Sequence, residues 1–245
     1  MPFDLHRQLQ EWYAANGGVL EVPFNGGFVA DVLRHGVIYE IQTRALRHIR
    51  SKIASLLEEW PVVVVLPIAR NTTIIQHTGN PLVECGRRSS PKHGTPLDAF
   101  AEAVSLAKLL AHQNLALEIA LVDVEEFRVK RTGEEQERLR KRRRRWRNRR
   151  GLEWATTNRR LVAVHETIRL DTPTDGLRLL PDALPNPFTV RMLSDVSGLS
   201  RWRAGQIAYT LRHLGALTVS TRTKDGLWYT PTVERAAEPT FPSGS

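Results

Sequence analysis

The stretch FVADVLRHGVIYEIQT, residues Phe28–Thr43, decides the fold of this chain. Two strand-like runs flank His35-Gly36, a dipeptide typical of a tight hairpin turn. A two-residue loop places Asp31 directly opposite Glu40, with both side chains on one face of the sheet and about 5 Å apart. Gln42 lies two residues beyond Glu40 and therefore shares that face. The hairpin predicts two facing carboxylates with an amide beside them.

The acid pair predicts a bound cation. Like charges directly opposed in a ladder destabilise it, so we expect a positive ion between Asp31 and Glu40. Two carboxylates and the backbone carbonyl of Ile41 suit a hard ion such as Mg²⁺, which keeps several waters. Leu33 and Ile38 fall on the same face by alternation, which favours a cleft edge. The alternative interpretation is the solvated outer face of an antiparallel sheet.

Helices and strands are predicted on both sides of the hairpin. The N-terminal side predicts a helix at Asp4–Asn16 and a strand at Val19–Phe24, and the C-terminal side a helix at Ala45–Trp60 and a buried strand at Val62–Ala69. Further elements are expected at Thr72–Gln76, Leu82–Cys85, Asp98–His112, Leu115–Val129, Glu134–Arg150 and Leu161–Leu170. The order begins helix, three strands, helix, strand, and predicts an α/β fold.

This order, with the spacing Asp-x8-Glu-x-Gln across the second and third strands, resembles the PD-(D/E)XK nuclease superfamily. That family includes many restriction endonucleases and DNA-repair nucleases. The resemblance covers residues 4–69 and implies a restriction-endonuclease-like αβββαβ core with a mixed sheet. It also implies that Asp31 and Glu40 are catalytic and bind Mg²⁺ or Mn²⁺, with Glu21 on the first strand as an auxiliary acid.

The chain departs from the family at two positions. Ala30 stands at the motif's Pro, a common change. Gln42 stands where the family usually has a Lys that orients or activates the attacking water, so the resemblance gives Gln42 the role of positioning this water. Some members with Gln here resemble active restriction enzymes. The missing positive charge can come from the segment that follows, on Arg44, Arg47 or Lys52.

One short segment accounts for the positive charge of the whole chain. The net charge is +9, and Arg138–Arg150 contains ten basic residues and no acid. The rest of the chain has 25 basic and 26 acidic residues. So dense a block predicts contact with a nucleic acid, although a solvated helix face is the alternative. We assign DNA contacts within it to Arg142, Arg143, Arg144, Arg145 and Arg147.

The C-terminal segment predicts a small DNA-binding module. Two short helices, Thr189–Ser197 and Arg201–Leu214, precede a hairpin with an Asp-Gly turn, and this order resembles a winged helix-turn-helix. Arginine and glutamine on the second helix suit base edges and phosphates. The predicted contacts are Arg201, Arg203, Gln206 and, at the tip of the wing, Lys224. The alternative is a module for dimerisation or protein contacts.

Composition excludes several classes of protein. The only cysteine, Cys85, excludes an internal disulfide and a multi-cysteine zinc site. No apolar run approaches the roughly 20 residues of a membrane span, and the N-terminus lacks an apolar leader, so we expect a cytoplasmic protein without membrane contact. Nucleotide-binding, zinc-protease and serine-hydrolase motifs do not occur.

Together these features predict a Mg²⁺-dependent DNA endonuclease that acts on double-stranded DNA, with a homodimer as one way to cut both strands. The alternative is a non-enzymatic DNA-binding regulator built on a degenerate nuclease fold, and structured RNA is a third possible ligand. The predicted organisation is a nuclease-like domain at 1–130, a basic helix, strand and linker at 131–187, a winged helix at 188–231 and a flexible tail at 232–245.

Overall fold

The computed structural model describes residues 4–15, 17–43, 49–79, 82–142, 153–224 and 226–233, with the backbone alone at 25 and 140–142. These residues form a mixed α/β structure with one large mixed sheet, a second small sheet and several helices. In the described part of the chain, no helix combines the length and apolar composition needed to cross a bilayer.

The first elements follow the predicted order of helix, three strands, helix and strand. They are α1 (Leu5–Ala14), β1 (Val19–Phe24), β2 (Phe28–Arg34), β3 (Val37–Ile41), α2 (Arg50–Leu56) and β4 (Val62–Thr78). Asp4 caps α1, because its carboxylate accepts a hydrogen bond from the His6 amide at 3.0 Å. The start of the helix predicted at Ala45–Trp60 lies outside the described residues.

The chain then adds long strands to the same sheet before the small C-terminal sheet. The elements are β5 (Val83–Ser89), α3 (Asp98–Ala103) continued by a 3-10 helix (Val104–Leu109), β6 (Leu115–Lys130), α4 (Gly133–Arg142), β7 (Trp154–Leu170) and α5 (Pro173–Arg178). They are followed by β8 (Phe188–Thr189), α6 (Val190–Ser197), α7 (Arg201–His213), β9 (Leu217–Thr223) and β10 (Gly226–Pro231).

The large sheet has the strand order β1-β2-β3-β4-β6-β7, and β5 pairs with the second half of β4. Strands β3, β4 and β6 are parallel, and the outer pairs are antiparallel. The valine run at the start of β4 is buried between two apolar clusters, one on each face of the sheet. Helix α1 packs on one face, and α2 and α3 pack on the other.

Several elements differ from the sequence prediction. Two strands were expected where β4 runs continuously for 17 residues, because β6 pairs with it past a bulge between Ala69 and Asn71. Strand β7 begins at Trp154 rather than Leu161, since it follows β6 to its end. The linker expected at 171–187 contains α5, which a capping box between Thr172 and Asp175 starts.

The C-terminal elements share a hydrophobic core with the large sheet. Strands β8, β10 and β9 form the small sheet, with α6 and α7 packed beside it. Ile207 and Leu211 of α7 belong to the same buried cluster as Phe100 of α3. The Thr210 hydroxyl donates to the Phe100 carbonyl oxygen at 2.9 Å. Helix α7 is therefore fixed against α3, which positions its exposed side relative to the large sheet.

Candidate active site

The hairpin adopts the register that its two-residue loop predicts. Arg34 faces Val37, Leu33 faces Ile38 and Val32 faces Tyr39.

At the next position, side chains of the two acids bind backbone amides of the opposite strand. The Asp31 amide donates to Glu40 Oε1 at 3.3 Å, and the Ile41 amide donates to Asp31 Oδ2 at 2.8 Å. These bonds hold both carboxylates at the junction of β2 and β3. The neighbouring carboxylates that the sequence predicts are therefore held in place by the backbone.

Helix α2 brings a lysine to this pair. Lys52 Nζ donates to Glu40 Oε2 at 2.6 Å and to the carbonyl oxygen of Val29. The Glu40 side chain is 2% exposed and that of Lys52 is 15% exposed, so water screens this ion pair weakly. Of the three basic residues that the sequence offered as replacements for the motif lysine, Lys52 contacts Glu40, while Arg44 and Arg47 lie outside the described residues.

Two residues of α1 that sequence reasoning missed contact Asp31. Gln10 Nε2 donates to Asp31 Oδ1 at 3.1 Å, and His6 Nε2 lies 3.3 Å from the same oxygen. Gln10 is buried, and His6 lies one turn before it on the same side of the helix. The sequence did contain a signal for this contact: His6 and Gln10 are four residues apart and each directly follows a leucine of the buried side of α1.

The two carboxylates have different affinities for protons. Burial raises the pKa of Glu40 to about 7, and the charge of Asp31 adds to this effect while Lys52 opposes it. Burial also disfavours the ionised form of Asp31, but the hydrogen bond and charge of His6 hold the pKa of Asp31 below its usual value. The same hydrogen bond raises the pKa of His6. Two acids with pKa values moved apart in this way are typical of catalytic sites.

Glu21 lies on β1 at the register position that faces Asp31, between the pairs Leu20–Val32 and Val22–Ala30. Its φ of 53° is unusual for a residue with a side chain. The carboxylate is 60% exposed and lies 3.2 Å from Nη1 of Arg7. Glu21 is therefore a surface residue beside α1, in an ion pair of its own.

Gln42 lines a pocket that opens beyond the end of β3. The backbone N–H of Gln42 donates to the Val65 carbonyl oxygen at 2.9 Å, which continues the β3–β4 pairing by one residue. The pocket has a volume of about 400 Å³ and adjoins a second one of about 540 Å³. We call the two together the cleft. Both parts are lined by Leu5, Pro67, Ile68, Glu102 and Arg159.

The cleft lies at an interruption in the pairing along β4. Strand β3 pairs with β4 as far as Val65, and β5 begins to pair at Thr73. Pro67 falls between these points, and proline suits such a position because it has no amide hydrogen to leave unpaired. The far part of the cleft is lined by the basic residues Lys92, Arg128, Arg159 and Arg203 and by the acids Asp98, Glu102 and Glu126. A charged cleft therefore leads away from Gln42.

The predicted DNA contacts differ in their exposure and partners. Arg201 and Lys224 are exposed. Arg203 makes an ion pair with Asp98, and Gln206 Oε1 is buried without a hydrogen-bond partner among the described residues. Helix α4 ends at Arg142, of which the structure describes only the backbone. The other predicted contacts of this segment lie wholly outside the described residues: Arg143, Arg144, Arg145 and Arg147.

The acid pair offers oxygen ligands of the chemical type that a hard divalent ion takes, and each of its four carboxylate oxygens accepts a hydrogen bond from the protein. Among the described residues, no group of three or more His, Cys, Asp or Glu side chains is placed to bind a metal. Mg²⁺ does not require such a cage, because it is commonly held by one or two carboxylates together with waters and substrate phosphate. Asp31 and Glu40 provide carboxylates of this kind.

The sequence of this region matches a known family model over residues 3–171, described as Domain of unknown function (DUF8091). The chain belongs to the DUF8091 family. The DUF8091 region contains α1 to β7 and the whole acid pair, and it ends before β8. The chain is also similar to an uncharacterized protein of Treponema pallidum (strain Nichols), with 32% identity over 127 residues. That match covers 51% of this chain and 49% of the relative, so the chain spans about half of the relative's length. No solved structure matches the chain.

Proposed function

We propose that this protein is a metal-dependent deoxyribonuclease that hydrolyses phosphodiester bonds inside a DNA strand. The observation that carries the proposal is the contact of Lys52 with the buried carboxylate of Glu40, beside Asp31 from the adjacent strand. Two acids and an ammonium group in one place supply what phosphodiester hydrolysis needs: ligands for a cation and a positive charge beside the phosphate.

The residues have separate roles in this proposal. Asp31 and Glu40 would hold a Mg²⁺ or Mn²⁺ ion, which when bound would supply charge neutralisation at the phosphate and a water of lowered pKa. Lys52 donates hydrogen bonds to a phosphate oxygen or to the attacking water, in place of the lysine that Gln42 replaces. Gln42 orients the water through its amide, which has both a donor and an acceptor.

Helix α1 supports the acid pair. His6 and Gln10 bind Asp31 Oδ1, while the Ile41 amide binds Oδ2, so the carboxylate has a fixed orientation. Hydrogen-bond partners of this type fix the orientation of a metal ligand, and removing them lowers metal affinity or activity. His6 also favours the ionised form of Asp31, which is the form that binds a cation.

The basic segment supports DNA as the substrate. Ile41 is level with Val65 and Glu118 in the sheet, and β6 continues from there to Lys130, where the chain enters α4. Twelve strand residues span about 40 Å, which is close to one turn of B-form DNA. Helix α4 begins at that distance and leads, in the sequence, into the arginine-rich segment, an order that suits a duplex passing both α4 and the acid pair. The C-terminal elements, in the order of a winged helix-turn-helix, offer a second DNA contact through Arg201 and Lys224.

One observation favours the alternative of a DNA-binding protein without catalysis. Each carboxylate oxygen of Glu40 already accepts a hydrogen bond from the protein, and the side chain is almost fully buried. If these bonds persist when DNA binds, Glu40 has a purely structural role. The two functions differ in whether a divalent ion binds at the acid pair.

The test is cleavage of supercoiled plasmid, linear, nicked and branched DNA by the full chain with Mg²⁺ or Mn²⁺. We expect nicking by the wild type, and a loss of about a hundredfold or more for Asp31→Asn and Lys52→Met, since removing one charge-stabilising group typically costs that much. The matched controls are Glu59→Gln and Lys108→Met, which change exposed residues and keep wild-type activity. Calorimetric titration with Mn²⁺ shows whether Asp31 binds the ion.

Absence of cleavage by the wild type on every DNA form, or full activity of Asp31→Asn, refutes the nuclease. DNA binding that is indifferent to Mn²⁺ and to Glu40→Ala, with no cleavage, supports the alternative.

A further inference from the structure

Helix α7 exposes two large aromatic side chains on one side. Trp202 is 71% exposed and Tyr209 is 44% exposed. They are seven residues apart, which places them on the same side of the helix about 10 Å from each other. The Tyr209 ring lies 4.5 Å from the ring of His213, measured between centroids. We call Trp202, Tyr209 and His213 the aromatic stripe.

The chain segment that carries the stripe is basic, and one of its arginines, Arg203, is paired with Asp98 of α3. The sequence from Val196 to Lys224 contains no acid, and its basic residues are Arg201, Arg203, Arg212, Arg222 and Lys224. Exposed aromatic rings among positive charges are the combination with which proteins bind single-stranded nucleic acid, because the bases stack on the rings while the phosphates meet the charges. The surface is therefore complementary to a polyanion with accessible bases.

Sequence adjacency links the stripe to the cleft. Trp202 directly precedes Arg203, and Arg203 and its partner Asp98 both line the far part of the cleft. The near part of the cleft reaches Gln42, next to the acid pair. A chain laid along the cleft would therefore run between Gln42, two residues after Glu40, and Arg203, the residue after Trp202.

Gly205 leaves room between the two rings. It lies on the same side of α7, between Trp202 and Tyr209, in the interior of a helix where glycine is unfavourable. A Cβ atom at Gly205 would meet Val190 Cγ1 at 3.9 Å, which is an ordinary contact, so packing does not require the glycine. The missing side chain leaves the surface open for the close approach of a ligand.

We propose that the aromatic stripe stacks unpaired bases of a DNA strand that continues along the cleft to Asp31 and Glu40. The preferred substrate is then DNA with a single-stranded part, such as a flap or a branch, rather than an intact duplex. The path to the acid pair rests on the proposed nuclease function. The stacking of bases on α7 does not depend on catalysis.

Binding without a divalent ion tests the stripe alone. Fluorescence anisotropy in EDTA compares three labelled probes on the full chain: a single strand, a blunt duplex, and the same duplex with a single-stranded flap. We expect Trp202→Ala to weaken binding of the single strand and the flap about 5- to 100-fold, the range for loss of one base stack, and to change blunt-duplex binding by less than about twofold. The control is Trp12→Ala, which removes a 43% exposed indole from α1 and changes none of the three affinities.

A second variant separates the role of the surface from folding. Gly205→Gln adds a good helix former, so we expect a higher melting temperature together with weaker binding of the single strand. A structural role alone would not produce both effects.

Equal losses on all three probes with Trp202→Ala, or no loss on any, overturn the proposal. So does a change from dimer to monomer in Trp202→Ala with unchanged DNA affinity, which would make the stripe an interface between two copies. Tighter binding of an RNA strand than of the matching DNA strand overturns the assignment to DNA. Cleavage can fail while these binding differences remain, and that result refutes the nuclease but not the stripe.

Discussion

Replacing Glu40 by glutamine changes how protein stability depends on pH. The pKa of Glu40 is about 7 in the folded protein, against an ordinary value of 4.5. An acid with a raised pKa binds its proton more tightly in the folded state. Its contribution to stability is therefore fully present below pH 4.5 and is lost as the pH rises through about 7.

The size of the effect follows from this difference in pKa. One pKa unit corresponds to about 1.4 kcal/mol, so the shift of Glu40 is worth about 3 kcal/mol in all. Most of it, about 2.5 kcal/mol, is lost between about pH 5 and about pH 8. The Glu40 side chain is 2% exposed, so solvent screening reduces this little. Glutamine does not titrate, and we expect Glu40→Gln to lose about 2.5 kcal/mol less stability than the wild type over this range.

Urea unfolding of the wild type and of Glu40→Gln at about pH 5 and at about pH 8 measures how much stability each protein loses over this range. Comparing the two pH values within each protein removes the pH-independent cost of changing the bond to Lys52. His6 also has a raised pKa and loses its contribution as the pH rises, but it is present in both proteins and its effect largely subtracts. The exposed Glu59→Gln serves as a control with the wild-type dependence. If wild type and Glu40→Gln lose the same stability between the two pH values, the buried carboxylate does not hold its proton as argued.

Three further predictions concern other parts of the molecule. At about pH 8, where Glu40 of the wild type is ionised, Lys52→Met removes its cationic partner and is expected to lower the free energy of unfolding by about 3–5 kcal/mol in urea titrations. Lys108→Met is expected to leave it unchanged, and a loss below about 1 kcal/mol for Lys52→Met would contradict this. Gly94→Ala is expected to cost about 1–3 kcal/mol by the same measurement, because its Cβ would lie 2.6 Å from the Ala69 carbonyl oxygen and from Ile68 Cγ2. Gly133→Ala is its control, since nothing lies within 4 Å of the added atom. Changing Arg142–Arg145 to glutamine is expected to reduce the slope of log affinity for duplex DNA against log salt by about 3 to 4, and an unchanged slope would exclude this segment from DNA contact.

Local spacing in the sequence determined the hairpin and its charges. A two-residue turn and the two-residue period of a strand predict the pairs from Arg34–Val37 to Val32–Tyr39, which the structure confirms. The regular pairing ends there, and Asp31 and Glu40 are joined through side chain to backbone bonds, with Asp31 contacted from α1 and Glu40 from α2, so their predicted position on one face remains a prediction. The basic segment is equally visible, because charge density needs no knowledge of the fold. Long β4, β6 and β7 were harder to predict, since hydrogen bonds from neighbouring strands carry them through polar residues.

Tertiary structure alone decided which groups meet the acid pair. Lys52 is 12 residues from Glu40, and Gln10 is 21 residues from Asp31. Their contacts depend on how α1 and α2 pack on opposite faces of the sheet, which is set by the burial of Leu9 and Ile53 rather than by the polar residues themselves. The sequence offered Lys52 as one of three candidates for the missing positive charge, and the packing of α2 shows that it contacts Glu40. The contacts at this site therefore depend on apolar packing between helices and sheet, which brings together polar groups that are far apart in the sequence and that local spacing does not predict.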